Sequence, residues 1–517
     1  MRTGAAPIGD TRRPLCSVCP EVSMRKAGIL LHPTSLPGPG PCGDLGDGAL
    51  RFLDWMAEAG MRLWQVLPLN PPGAGFSPYD SPAAMALGTH MLSLDRLVDD
   101  GLLRPSELAD RPMGQGRVDV EQVKSWHAPR VAVAARRLVE REPELVAKFA
   151  AERPALQDWG LYEALRRVHQ ADGWGGFPGA LARYEQGAVS DARERLHDVI
   201  SEVLAAQLLM QRQWASLRRS ANERGVELIG DVPIFVSGGG CDVWAQRSLF
   251  RGQTGEDGQW SADPVTGVPP DYFSPTGQRW GNPHYDWSAH AAQGYAWWAA
   301  RLRSVLETCD LVRIDHFRGF AAAWEIPSGA PDATHGRWAE GPGAALFEAL
   351  RAHLGDLPFF AEDLGVITPD VEALRDDLGM PGMKILQFAF GGGNDHPFLP
   401  HNYGHPRWVA YTGTHDTDTV VGWYRGADAR SQHRYRVYVG RDGSEPSWDL
   451  IRLAFSSVAD LAITPMQDAL ELDNGHRMNT PGTTDGNWCW RAPALPVHTA
   501  RRLRSLAEAY GRIPTEG

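Results

Sequence analysis

The sequence is short of lysine, cysteine and long apolar runs, and each shortage removes a class of protein. Lysine occurs only at Lys26, Lys124, Lys148 and Lys384, so nearly all of the 51 basic side chains are Arg, as a GC-rich coding bias would produce. No basic stripe stands out, and the 63 acidic residues leave a formal net charge of −12. Neutralising a phosphate backbone needs such a stripe, so no nucleic-acid partner is expected. No apolar run approaches the ~18 residues that span a bilayer, so no membrane partner is expected either. Residues 1–23 lack the apolar stretch of a secretory signal and read as a flexible leader. The 6 Cys are too few for a disulfide scaffold, and only Cys16 and Cys19 lie close together. That lone C-x-x-C has neither the second pair of a structural zinc site nor the βαβ context of a redox motif, so it reads as incidental. Scattered thiols fit a reducing cytosol, and a cytoplasmic location is expected. No repeat of 20–50 residues is evident, which excludes solenoids and propellers.

What the chain has in surplus is tryptophan. Its 19 Trp exceed the 16 Phe and 12 Tyr, and a 43% hydrophobic fraction is ample for a large core. From Gly48 to Leu69 the pattern predicts a helix, ended by Gly60, and then a short apolar strand. Between about 92 and 224 the chain turns rich in Ala, Arg, Glu and Leu. Leu196, Val199, Ile200, Val203, Leu204, Leu208 and Leu217 trace the stripe of a long amphipathic helix. This stretch is expected to be a mainly helical insertion. Strand signals then resume and alternate with helical segments, which indicates βαβ units around a parallel sheet in a chain of the α/β class.

Four strand-like runs lead into a carboxylate, at Asp231, Asp315, Glu362 and Asp416. In a barrel of parallel strands the C-terminal strand ends converge on one mouth. Alternation along Leu311–Asp315 puts Arg313 and Asp315 on one strand face, where the guanidinium would favour an ionised Asp315. Glu362 follows an apolar run, and neighbouring carboxylates would raise its pKa as a general acid requires. Single acids after strands are often helix caps or ion-pair partners. A metal site is a rival reading, but no H-x-H, H-E-x-x-H or calcium-loop spacing is present. Four acids in register, with Arg313, His316 and His415 beside them, favour a catalytic cluster. Two carboxylates with separated pKa values are the working parts of retaining glycoside chemistry. Indoles suit the flat C–H faces of sugar rings. Most Trp are expected in the core, whereas the Gly- and Pro-dense stretch Gly267–Pro283 reads as a loop that covers a ligand with rings.

With these residues in place, the chain resembles the 4-α-glucanotransferases (amylomaltases, or disproportionating enzymes) of glycoside hydrolase family 77. The resemblance rests on GILLHPTSLPG at 28–38, Ser77-Pro-Tyr79, GDVPIFV at 230–236 and the 267–283 segment. It continues through LVRIDHFRGF (311–320), AEDLGVITPDVEALR (361–375), PGMKILQFAF (381–390), PFLPHNY (397–403), YTGTHD (411–416) and GNWCWR (486–491). It implies a (β/α)8 TIM barrel over residues 24–517 with inserted, largely helical subdomains and no C-terminal β-sandwich. A lid loop at about 251–285 is expected to overhang the cleft. Asp315 would be the nucleophile, Glu362 the acid/base and Asp416 the third carboxylate. Ser77, Tyr79, Asp231, Tyr272, Phe273, Gln278, Trp280, Arg313, His415 and Asn479 would bind substrate. The implied partners are malto-oligosaccharides and other α-1,4-glucans, with no metal or organic cofactor and with monomer and homodimer both open. Gly391-Gly-Gly393 and Thr417 depart from the usual family pattern, outside the catalytic pair.

Overall fold

The computed structural model describes residues 25–114, 116–255, 259–270 and 274–513. The expected leader with Cys16 and Cys19, and also Tyr272 and Phe273, lie outside the described residues. Eight parallel strands form the central sheet: β1 (Lys26–Leu30), β2 (Leu63–Gln65), β3 (Glu227–Val232), β4 (Leu311–Ile314), β5 (Phe359–Ala361), β6 (Gly382–Ile385), β7 (Trp408–Tyr411) and β8 (Leu461–Pro465). Their spatial order is β5-β4-β3-β2-β1-β8-β7-β6. The Ala361 N–H donates to Pro381 O at 2.8 Å, which brings β5 against β6 and completes the ring. The result is a TIM barrel. Its strands are buried almost throughout, as expected when helices cover one face and side chains fill the other. Within the ring, the Tyr411 hydroxyl of β7 donates to Gln65 Oε1 of β2 at 2.7 Å, a bond between non-neighbouring strands.

Between β2 and β3 the chain is mainly helical, ending in the 27-residue helix His197–Glu223. Ile200, Val203, Leu204, Leu208 and Leu217 are all buried along it. Its Gln207 exchanges two hydrogen bonds with the Leu87 backbone, and Gln213 does the same with Ser93. Trp214 donates to Thr308 O at 2.7 Å. These bonds tie the long helix both to the segment leaving β2 and to the approach to β4.

The stretch at 251–285, expected as a lid loop, carries strands. Val265–Val268 and Gln278–Pro283 join Ala322–Ile326 and Arg337–Glu340 in a four-stranded antiparallel sheet. Glycine here reflects close backbone approach rather than a loop, since a Cβ on Gly267 would lie 2.1 Å from Gln278 O. At the other seam of the barrel, Arg512 is 1% exposed and its guanidinium donates to the carbonyls of Lys26, Ala454, Phe455 and Ala459. The partial negative charge on carbonyls at the end of the helix Pro446–Ser456 and the nearby carboxylate of Asp460 favour its charge. No helix among the described residues is long and apolar enough to cross a membrane.

Candidate active site

Strands β3, β4 and β5 lie side by side, and their register fixes the first half of the site. Asp231 of β3 stands opposite Arg313 of β4, and Ile314 opposite Ala361 of β5. The next residue on each of the last two strands is Asp315 and Glu362, so these acids are neighbours across one strand spacing, about 4.8 Å. Arg313 is buried, and its Nη1 donates to Asp231 Oδ2 at 2.7 Å and lies 2.8 Å from Asp315 Oδ1. The Tyr79 hydroxyl donates to Asp231 Oδ2 at 2.7 Å. A chain of hydrogen bonds and ion pairs therefore runs Tyr79–Asp231–Arg313–Asp315. Arg313 and Asp315 share a face as the strand alternation predicts. Arg313 does favour the ionised form of the acid, as expected, but it does not win. Burial pushes Asp315 up to about 6, outweighing the opposing pull of Arg313. The guanidinium is shared with Asp231, which itself repels Asp315.

Glu362 is held by backbone. Its Oε2 accepts the His316 N–H at 2.7 Å and its Oε1 the Leu364 N–H at 3.0 Å. His316 aims its N–H there from the left-handed region, at φ 51° and ψ 48°, a conformation costing a non-glycine residue roughly 1–2 kcal/mol. Burial first, and then the charge of Asp315, raise Glu362 to about 8 against Arg313 and the His316 N–H. Of these two neighbouring acids, Glu362 thus keeps its proton to higher pH than Asp315.

Asp416 arrives differently. It lies in a loop five residues beyond β7, so the reading of this acid as a strand end is corrected. Asn479 Nδ2 donates to its Oδ1 at 2.6 Å, Arg477 to its carbonyl at 2.9 Å, and His415 Nε2 lies 3.3 Å from its Oδ2. Burial opposes the charge, but His415 and Asn479 together hold the carboxyl well below the usual range. Thr417, one of the departures from the family pattern, closes this turn by accepting the Thr414 N–H at 2.9 Å.

The remaining expected residues form the walls. Tyr79 stacks on His415 with centroids 5.1 Å apart and planes 12° apart, and Trp488 leans on both rings. Ser77 Oγ accepts the Tyr79 N–H at 3.2 Å, so this hydroxyl holds the turn that presents Tyr79. Trp280 is 39% exposed on its edge strand, sets its indole edge-on to His316 at 4.8 Å, and donates to Gln278 Oε1. Sequence reasoning assigned no role to the ring of Trp488 or to the His316 N–H. The first is signalled only by the GNWCWR motif, and the second by nothing, because a backbone donor leaves no side-chain trace. Among the described residues no three His, Cys, Asp or Glu side chains gather as a metal ion would need.

The chain as a whole is similar to known proteins. A family profile described as 4-alpha-glucanotransferase, glycoside hydrolase family 77, matches residues 31–496. The chain is 46% identical over 504 residues to the 4-alpha-glucanotransferase of Thermus thermophilus, covering 95% of this chain and 99% of that protein. It is 43% identical over 503 residues to the chloroplastic/amyloplastic 4-alpha-glucanotransferase of Arabidopsis thaliana, covering 95% and 86%. Among solved structures, the amylomaltase from Streptococcus agalactiae in complex with acarbose superposes with a TM-score of 0.90 at 33% identity, covering 95% of this chain and all of that one.

Proposed function

The chain belongs to the 4-alpha-glucanotransferases of glycoside hydrolase family 77 and is a glycosyl-transferring enzyme, and from that premise we propose a retaining mechanism run by Asp315 and Glu362 on α-1,4-glucans. The Asp315 carboxylate attacks the anomeric carbon of the donor. As the glycosidic bond breaks, Glu362 gives its proton to the departing O4, leaving a β-glycosyl-enzyme. An acceptor glucan then enters, its 4-hydroxyl returns a proton to Glu362 and attacks the same carbon, and Asp315 is released with net retention. Asp416, fixed by Asn479, grips ring hydroxyls and supports the distorted sugar. Asp231, Arg313, Tyr79 and His415 line the donor side, with Ser77 setting Tyr79 in place and Trp280 and Gln278 overhanging the cleft. By resemblance to the family, Tyr272 and Phe273 would also bind substrate.

The observation that carries this reading is the placement of Asp315 and Glu362 on adjacent strand ends with their pKa values ordered as nucleophile and acid. Neighbouring strand ends suit the short separation of retaining pairs, about 5–5.5 Å, rather than the wider gap that admits a water in inverting enzymes. The free thiols of Cys42, Cys241, Cys309 and Cys489 support a cytosolic setting. Pure maltotriose tests the activity. Transfer yields glucose plus maltopentaose and longer chains with little new reducing sugar. Steady growth of reducing ends would make the protein a hydrolase, and an unchanged sugar would leave only binding.

A further inference from the structure

Two tryptophans among the described residues are more than a third exposed, Trp280 at 39% and Trp338 at 38%. They occupy the two opposite edge strands of the same four-stranded sheet, Gln278–Pro283 and Arg337–Glu340. Trp280 belongs to the cleft already described. Trp338 touches none of the catalytic carboxylates, yet it is built as firmly as a core residue. Its cross-strand partner is Trp324, whose indole meets it edge-on at 5.1 Å. Trp324 is itself anchored by donating to Ala333 O at 3.0 Å, and Gly336 leaves room for it, since a Cβ there would lie 2.4 Å from the Trp324 ring. Against the face of Trp338 sits the guanidinium of Arg318, 3.6 Å from the ring centroid. Arg318 is buried and fixed in turn by the carbonyls of Val366 and Ala322.

The Trp338 indole is thus held by a cation over its ring and by a second indole in a T-shaped contact, while 38% of the residue stays exposed to solvent. A ring held this way loses little conformational freedom when something stacks on it, which is what makes a preorganised binding surface. Glu340, two residues along the same strand, shares the face of Trp338 and is exposed, so a hydrogen-bonding group borders the ring. A flat apolar ring bordered by polar groups suits a neutral polyhydroxylated chain, with the C–H face of a sugar on the indole.

Its location relates it to the reaction. Arg318 lies three residues beyond Asp315, and Val366, which it grips, lies four residues beyond Glu362, no more than about 14 Å of extended chain. Val366 is also exposed, at 47%, on the same rim. Glu362 serves the departing and arriving 4-oxygen, so a long glucan arm on that side of the scission point would cross this rim.

We propose that Trp338 is a stacking platform for the leaving or accepting arm of a long α-glucan, outside the catalytic cleft. The proposal rests on the reading of the chain as a glucan-transferring enzyme. It is tested by comparing wild type, Trp338→Ala and Trp338→Phe on maltotriose and on long amylose, with thermal melting as the check on folding. The ring should be worth about tenfold in kcat/KM on amylose, expressed in KM, against a change of less than about twofold on maltotriose. Trp338→Phe should recover most of the loss. Equal losses on both substrates would make the ring merely structural, and an undiminished rate on amylose would remove the platform. Affinity electrophoresis through an amylose gel reads binding without turnover, and Trp338→Ala should migrate faster than wild type. That arm separates the two readings: failure of maltotriose disproportionation in wild type would sink the activity, while equal migration of the two proteins would sink the platform.

Discussion

At the end of β5 two consecutive acids enter different regions of the molecule. Glu362 stands at the mouth of the barrel with backbone N–H donors on both oxygens, and its nearest cation, Arg313, is engaged with Asp231 and Asp315. Asp363 is buried in the layer outside the strands, where it accepts from the Arg375 guanidinium and, at 2.7 Å, from the Met383 N–H. Burial raises both carboxyls. At Asp363 the Arg375 guanidinium, which Asp376 shares, and the Met383 N–H work against that rise. Glu362 has no cation of its own and a second acid beside it, so it keeps its proton to about 8. The contrast shows that burial alone does not set how firmly a carboxyl keeps its proton. What separates the two is that Asp363 has a cation bonded directly to it and Glu362 has none.

The sharpest way to break the comparison is at the nucleophile. Asp315→Asn should lower transfer and hydrolysis alike by about 10⁴-fold or more while melting stays near wild type. A near-normal rate in that variant would remove Asp315 from the mechanism. Glu362→Gln should cost about 10²–10⁴-fold with a glucan leaving group and should erase the alkaline limb of the pH profile. In wild type that profile should be bell-shaped. Activity rises as the pair loses its first proton near pH 6, freeing Asp315, and falls as Glu362 loses its proton near pH 8. A rate that kept climbing beyond pH 9 would contradict the assignment of the acid. Arg375→Ala probes the other region. It leaves a buried carboxylate unpaired and should cost about 3–5 kcal/mol of stability, read from denaturant unfolding. The protein that remains folded should keep the wild-type pH limbs, and a shifted alkaline limb would show that the two layers are not independent. Smallest is Tyr79→Phe, which removes one hydrogen bond to Asp231 and should lower kcat/KM roughly tenfold with stacking on His415 intact.

Much of the architecture could be read from pattern because the strands are buried on both sides and therefore spelled as short apolar runs, as in Leu311–Ile314 and Phe359–Ala361. Arg313 beside Asp315 followed from period-two alternation, a purely local rule. The sign of the Asp315 shift did not follow, because burial and the competing claim of Asp231 on Arg313 are tertiary facts. Nor did the strands at 265–268 and 278–283, whose glycines look like loop until a partner strand is laid against them. The motif resemblance named Asn479 as a substrate-binding residue. Its grip on Asp416, 63 residues away in the chain, belongs to the folded molecule alone.

Arg512 has a consequence for how such a barrel is made. β1 pairs with β8, and Lys26 O is bonded by a guanidinium 486 residues further along the chain. During synthesis β1 can join β2 early, but its other edge stays open until β8 emerges, and the seam is locked only when residue 512 has left the ribosome. For most of its translation the nascent chain therefore carries an unpaired, apolar strand edge, the kind of surface that invites aggregation or a chaperone.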